Sequence, residues 1–301
     1  MPNALSGEGA SIQGMLREAA VRLEGALGVG AGLREARSLW AAVAGVTPGD
    51  AWLHGDHAPS EELAPRFHDA VARRISGEPF AYAAGRASFR IMDLRVDRRA
   101  LIPRPETEGL VELALRWSLR SGRGRGRGRG GAAADLGTGS GCIALCLAME
   151  GEFERVVAVE RSAGAAALAR ENVARAAPSV PVLVRQGDWL EPLAGERFRV
   201  IVANPPYLTV SEYAALDPGV RDFEPREALV SGIDGLDATR RILAGAAPLL
   251  EPGGALILEI DMRRADWIQD LASEHRWARV EIHEDLFGRP RYALVLPRED
   301  A

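Results

Sequence analysis

The strongest constraint on the fold is a regular alternation of strand-like and helix-like segments from Ala132 to Leu296. Short apolar runs typical of buried strands alternate with longer segments that have apolar residues at helical spacing. This alternation predicts an α/β fold with a doubly wound, mostly parallel seven-stranded sheet. The predicted strands are 132–136, 155–160, 181–185, 198–203, 255–261, 279–284 and 291–296. The predicted helices between them are 142–149, 163–175, 236–250 and 263–274.

The last two strands are joined by the short segment from Asp285 to Pro290, which is typical of a hairpin turn. A hairpin here predicts that an antiparallel strand lies at one edge of the sheet.

The N-terminal part has a different pattern. Apolar residues at helical spacing predict helices at 12–27, 33–43 and 62–75, which indicates a small helical domain over residues 1–78. Alternation around Phe89 and Val96 predicts a β-hairpin linker over 79–102. The third predicted domain, 103–301, opens with a helix just after Arg104 that runs to about Leu119, with Pro105 in its first turn.

Residues 121–131 are a low-complexity run of arginine and glycine. Such runs can bind RNA, but this one is short and has no aromatic residue on which a base could stack. We interpret it as a flexible insertion in a loop.

Composition restricts the class of protein. The 301 residues carry a net charge of −5, and 47% are hydrophobic, which fits a globular protein without a strongly basic surface. No signal peptide and no apolar run of membrane-spanning length is evident, so a cytoplasmic protein without membrane association is expected. Cys142 and Cys146 lie four residues apart in one predicted helix, and we expect both to be buried without binding metal.

A glycine-rich segment, Asp135-Leu136-Gly137-Thr138-Gly139-Ser140-Gly141, joins the first strand of the sheet to the next helix. Ligands of open α/β sheets bind at the carboxyl ends of the strands, where glycines allow close approach to backbone N–H groups. The spacing differs from that of a dinucleotide site. Taken alone, the segment is also compatible with a tight turn.

Acidic and aromatic residues follow the next two strands. Glu160 ends the second strand and can accept hydrogen bonds from two ribose hydroxyls. Asp188 and Trp189 follow the third strand, where a carboxylate can accept from an adenine amino group and an indole can pack on its ring.

The tetrapeptide Asn204-Pro205-Pro206-Tyr207 follows the fourth strand and is the strongest signal for chemistry. A planar amide-type nitrogen is a poor nucleophile, so a site that methylates it must hold both N–H groups and orient the nitrogen. The side-chain oxygen of Asn204 and the carbonyl of Pro205 are two suitable acceptors. The prolines stiffen the loop, and Tyr207 can stack on the planar group.

With these motifs, the sequence resembles class I methyltransferases, and within them the HemK/PrmC family of protein-(glutamine-N5) methyltransferases. The resemblance covers about residues 70–297. The matching segments, in order, are 74–79, 101–108, 135–145, 204–207, 223–229, 234–236 and 252–260.

The resemblance implies a Rossmann-like methyltransferase domain that uses S-adenosylmethionine. The predicted cofactor-binding residues are Asp135, Gly137, Thr138, Gly139, Ser140, Gly141, Glu160, Asp188, Trp189 and Asn204. The implied substrate is the glutamine of the Gly-Gly-Gln motif of class I peptide chain release factors, held by Asn204, Pro205, Pro206 and Tyr207. Of these, Asn204, Pro205 and Tyr207 are the expected catalytic residues. The family also implies that the helical domain grips the release factor, and we expect a monomer.

The sequence departs from the family pattern at three places. Glu160 stands where the family has aspartate, Asp261 stands where it has glycine, and the arginine-glycine run has no counterpart. Three rival functions remain: methylation of a ribosomal-protein glutamine, methylation of adenine N6 in nucleic acid, and a binding module without activity. The net charge and the absence of an evident target-recognition domain make a nucleic-acid partner unfavourable.

Overall fold

The computed structural model describes residues 11–28, 30–47, 49–50, 55–121 and 130–298. The chain divides into two compact units. One comprises Met1–Arg86 with Asp217–Phe223, and the other comprises Ala87–Leu216 with Glu224–Ala301. Most of the predicted arginine-glycine insertion, residues 122–129, lies outside the described residues.

The part of the first unit up to Arg86 contains helices α1 (Ile12–Leu27), α2 (Gly32–Ala44), α3 (Leu63–Ile75) and α4 (Phe80–Ala84). The predicted helices α1, α2 and α3 are confirmed to within one residue at each end. Their apolar faces form one core in which the rings of Trp40 and Phe67 meet edge to face, with centroids 5.5 Å apart. Both rings are almost fully buried, so this pair stabilises the helical unit beyond simple area burial.

Strands β1 (Arg86–Phe89) and β2 (Met92–Arg95) form the predicted hairpin as a two-stranded sheet. Arg90, in the turn, has a φ of 49°. Its guanidinium donates to Glu150 at 2.8 and 2.6 Å, and its backbone N–H donates to Glu108 at 2.9 Å. These bonds hold a left-handed conformation that is unfavourable for arginine.

Helix α5 (Thr107–Ser121) begins two residues beyond Pro105. The remaining elements alternate as predicted and give a sheet in the order β5-β4-β3-β6-β7-β9-β8, which confirms the seven-stranded, mostly parallel sheet. The strands are β3 (Ala132–Leu136), β4 (Arg155–Glu160), β5 (Val182–Gln186), β6 (Phe198–Ala203), β7 (Leu250–Glu259), β8 (Arg279–Glu284) and β9 (Pro290–Leu296). The helices are α6 (Cys142–Glu150), α7 (Ala163–Ala176), α8 (Val210–Ala214), α9 (Pro218–Arg221), α10 (Asp237–Gly245) and α11 (Ala265–Glu274).

The prediction of an antiparallel strand at the edge of the sheet was wrong in its placement. β9 is antiparallel to both β7 and β8 and lies between them, so the edge strand is β8, which runs in the same direction as the parallel strands. β9 is buried along most of its length, whereas β8 is half exposed. Burying the more apolar strand of the hairpin explains why it takes the inner position.

Two predicted boundaries around β7 were also wrong. The helix predicted to reach Leu250 ends at Gly245, and the strand begins at Leu250 rather than Ala255. Pro248 cannot donate a helical hydrogen bond, and Leu250 pairs with Phe198 of β6 across a register shift. Asp261, predicted in the strand, lies beyond its end and accepts a hydrogen bond from the N–H of Arg263 at 2.8 Å.

The central strands β3, β4, β6 and β7 are buried on both faces, as expected for a parallel sheet covered by helices. Cys142 and Cys146 are both free and buried in α6, which confirms the prediction that they are buried. Among the described residues, no helix is long and apolar enough to cross a bilayer.

Helix α5 approaches β9 closely at Gly109. A Cβ at this position would lie 2.2 Å from the hydroxyl oxygen of Tyr292, which itself donates to the carbonyl of Glu106 at 2.6 Å. The glycine therefore permits a hydrogen bond that ties the first turn of α5 to the sheet.

We expect Gly109→Ala to lower the free energy of unfolding by about 1–3 kcal/mol, because the added methyl overpacks this contact. Gly25→Ala is the matched control, since a Cβ on this exposed helical glycine meets nothing within 4 Å. That substitution should stabilise the protein by up to about 1 kcal/mol. Urea denaturation of both variants measures the difference, and equal effects would contradict the close approach.

Candidate active site

A cleft of about 280 Å³ opens at the carboxyl ends of the parallel strands, near the lower limit of volumes typical for small-molecule sites. The loops after β3, β4, β5 and β6 all contribute to it. Nine of the predicted site residues line this one cleft: Gly137, Thr138, Gly139, Ser140, Glu160, Asp188, Trp189, Asn204 and Pro206.

Asp135, at the end of β3, organises the glycine-rich loop from beneath. It is fully buried, and its carboxylate accepts from the hydroxyl of Thr138 at 2.5 Å and from the N–H of Ala144 at 3.1 Å. Burial raises the pKa of Asp135 to about 7, and the two hydrogen bonds oppose that rise. The carboxylate thus joins the strand, the loop and the first turn of α6.

Both the backbone conformation at position 137 and a neighbouring side chain require a glycine there. Gly137 has a φ of +70°, and a Cβ there would lie 3.3 Å from the ring of Trp189. Trp189 itself has a φ of 47°, which is rare for a bulky residue. Backbone strain of this kind concentrates at ligand sites.

Glu160 lies at the end of β4 and lines the cleft. One of its carboxylate oxygens accepts from the N–H of Gly139 at 3.0 Å, and the other accepts from the N–H of Ser162 at 2.8 Å. The glutamate therefore bridges the glycine-rich loop and the start of α7. Each oxygen keeps a second lone pair with which it can accept from a ligand hydroxyl.

Asp188 forms an ion pair with Arg241 of α10 at 2.5 Å. Both residues line the cleft, so the pair fixes the loop that carries Trp189. A charge-assisted bond of this type still leaves acceptor capacity on the carboxylate.

Asn204 follows β6 and is half-buried at the cleft. Its side-chain nitrogen donates to the hydroxyl oxygen of Thr107 at 3.1 Å. Tyr207 lies three residues further along, and burial, followed by the nearby Glu259 carboxylate, raises the pKa of its hydroxyl to about 12. A phenol of such high pKa stays neutral and can act only as a packing or hydrogen-bonding group.

Four predicted site residues, all within the described part of the chain, are not among those that line the cleft: Asp135, Gly141, Pro205 and Tyr207. Asp135 acts from below the loop. Gly141 caps α6 and faces Ala169 of α7, and Pro205 is buried. The carbonyl of Tyr207 lies against Gly235, where a Cβ would approach it to 2.3 Å.

The cleft also includes residues that we did not predict as site residues. Ile102 and Arg104 line it and are held by Glu224, whose buried carboxylate accepts from the Ile102 N–H at 3.2 Å and from Arg104 at 2.6 Å. Thr107 and several residues between Pro225 and Gly232 also line it. The sequence held a signal for most of these positions, because Ile102, Arg104 and Thr107 lie in the matched motif 101–108, and Glu224 and the residues up to 229 lie in the matched motif 223–229.

The unusual Asp261 lies in an ion-pair network next to the tetrapeptide. It pairs with Arg263 at 2.6 Å and with buried Arg264 at 3.2 Å, and Arg264 also reaches Glu212 at 2.7 Å. Burial opposes ionisation of Asp261, but the bonds from Arg263 hold its pKa below the usual value. Arg264 further donates to the carbonyl of Asp234 at 2.7 Å, which fixes the turn against Tyr207.

Two protein families match parts of this chain. Residues 15–85 match the family described as PrmC N-terminal domain, and residues 125–216 match the family described as Methyltransferase small domain. A protein of Cereibacter sphaeroides named "Release factor glutamine methyltransferase" is 39% identical over 92% of this chain and 95% of its own length. A protein of the same name from Nitratidesulfovibrio vulgaris is 37% identical over 97% of both chains.

Among solved structures, the hMettl16 catalytic domain in complex with an RNA hairpin of the MAT2A 3′UTR aligns with a TM-score of 0.54. The alignment covers 86% of this chain and 90% of that one at 17% identity. At this level of identity the likeness shows a shared fold and nothing about the substrate.

We expect Asp135→Asn to remove the part of the pH dependence of stability that comes from the titration of Asp135. Since the folded-state pKa of Asp135 lies above its unfolded value, its contribution to stability is complete below about pH 4. That contribution falls as the pH rises to 7. The difference in unfolding free energy between wild type and Asp135→Asn should therefore decrease from pH 4 to 7 and then level off.

Urea denaturation at several pH values measures this difference. Asp270→Asn, on the exposed face of α11, is the control for loss of a carboxylate in contact with water. Parallel pH profiles for wild type and Asp135→Asn would contradict the prediction.

Proposed function

Because the chain belongs to the release factor glutamine methyltransferase family, we propose that it transfers a methyl group from S-adenosylmethionine to the side-chain amide nitrogen of a glutamine in class I peptide chain release factors. The observation that carries the proposal is the position of Asn204 at the same cleft as the glycine-rich loop, Glu160 and Trp189. A donor of methyl groups and an acceptor nitrogen can therefore meet at one place.

The chemistry of the cleft fits S-adenosylmethionine. Glu160 offers carboxylate oxygens for the ribose hydroxyls, Trp189 offers a flat apolar ring for adenine, and Asp188 can accept from the adenine amino group. The backbone of the loop from Gly137 to Gly141 lies beside them. When bound, the cofactor supplies an electrophilic methyl group on a sulfonium.

The tetrapeptide orients the acceptor. A glutamine amide presents two N–H groups, and the side-chain oxygen of Asn204 and the carbonyl of Pro205 are the acceptors proposed to hold them. Pro205 lies two residues beyond the end of β6, so its carbonyl is outside the strand ladder. Tyr207, whose pKa is raised and whose hydroxyl stays neutral at physiological pH, is proposed to pack against the planar amide. Fixing both N–H groups leaves the nitrogen free to face the methyl group.

The charges around the cleft favour a protein substrate over nucleic acid. Three of the four arginines that line it are paired with carboxylates: Arg99 with Asp97 and Glu171, Arg104 with Glu224, and Arg241 with Asp188. Binding of nucleic acid depends on cationic groups that neutralise phosphates, and each of these cations already has an anion.

We also propose a docking role for the N-terminal helical domain, predicted over residues 1–78. The match of residues 15–85 to the PrmC N-terminal domain supports this role, as does the independent apolar core of α1, α2 and α3. In this proposal the predicted linker, 79–102, joins it to the catalytic domain, 103–301, and the enzyme acts as a monomer.

The test is methyl transfer from labelled S-adenosylmethionine to a class I release factor. We expect one methyl group on the Gly-Gly-Gln glutamine, and none on a release factor in which that glutamine is alanine. Asn204→Ala should lower kcat by about 10²–10³-fold, the effect of removing one hydrogen bond that stabilises a transition state. Methylation of a ribosomal protein or of DNA, with the release factor unmodified, would overturn the proposal.

A second prediction concerns the ribose contact. Glu160→Gln should weaken S-adenosylmethionine binding by about 10- to 100-fold, since hydrogen bonds to a charged group contribute about 1.5–3 kcal/mol. Glu160→Asp, which restores the residue typical of the family, should bind with close to wild-type affinity. Isothermal titration calorimetry measures both, and unchanged affinity in Glu160→Gln would exclude the ribose role.

A further inference from the structure

Thr107 connects the tetrapeptide to a buried carboxylate. It is the first residue of α5, is 2% exposed, and accepts a hydrogen bond from the side-chain nitrogen of Asn204. Its own hydroxyl hydrogen bonds to Glu259, the last residue of β7, which is also 2% exposed. The three residues therefore form a chain from the cleft to the interior of the sheet.

The polarity of this chain is set at its buried end. An ionised carboxylate can only accept, so the single hydrogen of the Thr107 hydroxyl must point to Glu259. The lone pairs of the hydroxyl oxygen are then left for a donor. The only donor on the Asn204 side chain is its NH₂ group, so that group faces Thr107 and the oxygen remains for the substrate.

Without this constraint, the asparagine amide could turn over. If the Thr107 hydrogen were free, it could donate to the Asn204 oxygen, and the NH₂ group would take the place of the acceptor. The NH₂ group of Asn204 would then face an N–H group of the reacting amide, and two donors cannot form a hydrogen bond with each other. A rotation of one side chain would thus change a substrate acceptor into a group that repels the substrate.

We propose that Thr107 and Glu259 are positioning residues that hold the side-chain amide of Asn204 with its oxygen available to the substrate. Neither residue needs to touch the reacting atoms. This inference rests on the proposed function, because it assigns the Asn204 oxygen to a substrate N–H group.

The surrounding structure holds Thr107 in place. Tyr292 of β9, paired in register with Glu259, donates to the carbonyl of Glu106 at 2.6 Å. The same tyrosine that lies beside the carboxylate thus fixes the residue that precedes Thr107. The close approach of the Tyr292 hydroxyl to Gly109 is part of this arrangement, because a side chain at position 109 would collide with that hydroxyl.

The charge of Glu259 makes the orientation of the Asn204 amide depend on pH. Burial raises the pKa of Glu259 to about 7, while the Thr107 hydrogen bond and Arg291 and Arg104 lower it and Glu106 raises it. Burial raises the pKa values of Tyr207, Tyr292 and Cys142, and the Glu259 carboxylate raises them further. Protonated Glu259 can donate to Thr107, so the amide orientation is fixed only above about pH 7.

The kinetic test compares Thr107→Val, which removes the hydroxyl, with Thr107→Ser, which keeps it. Thr107→Val should lower kcat on the release factor by about 10²-fold, the usual effect of a misplaced group, with little change in affinity for S-adenosylmethionine. Thr107→Ser should recover most of the activity. The matched control is Thr239→Val, a buried threonine of α10 that does not line the cleft, and it should leave kcat unchanged.

Equal kcat for wild type and Thr107→Val would overturn the positioning role. Equal losses in Thr107→Ser and Thr107→Val, with both variants folded, would also overturn it, because the hydroxyl would then be irrelevant. Glu259→Gln should lower kcat. Wild-type kcat should rise near pH 7, and the kcat of Glu259→Gln should change less through that range, because only the titration of Asp135 is common to both proteins. The same rise in Glu259→Gln would count against the proposal.

A spectroscopic test does not depend on the substrate. The chain has three asparagines, Asn3, Asn172 and Asn204, so ¹⁵N-asparagine labelling gives few side-chain NH₂ signals. The Asn204 signal, identified by its loss in Asn204→Ala, should shift with a midpoint near pH 7 and stop shifting in Glu259→Gln. A signal that does not respond to pH would overturn the proposed coupling. If the coupling is present but the release factor is not methylated, the proposed function fails and the coupling stands.

Discussion

The cleft depends on one carboxylate that is removed from water. Asp135, the second-last residue of β3, binds both Thr138 in the glycine-rich loop and the first turn of α6, so the loop cannot move without breaking a bond in the interior. Losing a partner of a buried acceptor costs its full desolvation, about 1–3 kcal/mol, which makes the loop conformation strongly specified. The backbone positions that would receive a ligand are therefore in place before any ligand binds.

Arginine–carboxylate pairs hold the walls of the cleft in the same way. Arg104 and Glu224 are 120 residues apart, and their contact closes the lining segment 101–104 onto the segment that begins at 224. Glu224 is almost fully buried, so this pair is shielded from the screening that weakens surface ion pairs. Three of the four arginines that line the cleft, Arg99, Arg104 and Arg241, are neutralised by carboxylates in this way.

Local patterns predicted much of this structure, and long-range pairing set the rest. The glycine-rich loop, Glu160, Asp188, Trp189 and Asn204 each follow a strand, and parallel strands bring such positions to one edge. The role of Thr107 could not be seen, because its partner Asn204 is 97 residues away and their contact depends on how α5 packs. The insertion of β9 between β7 and β8 was missed for the same reason: hairpin sequence fixes which strands pair but leaves open which of the two joins the sheet.

The position of β9 has a consequence for synthesis. β8 leaves the ribosome before β9, yet it cannot join the sheet until β9 has paired with β7, so this edge cannot be built in the order in which it is made. Tyr292 on β9 ties down the Glu106 carbonyl from 186 residues further along the chain. A nascent chain can therefore form the bonds within the glycine-rich loop early, while the start of α5 gains its bond to Tyr292 only once β9 has been made. The Thr107 side of the cleft is thus complete only after the final strand of the sheet is in place.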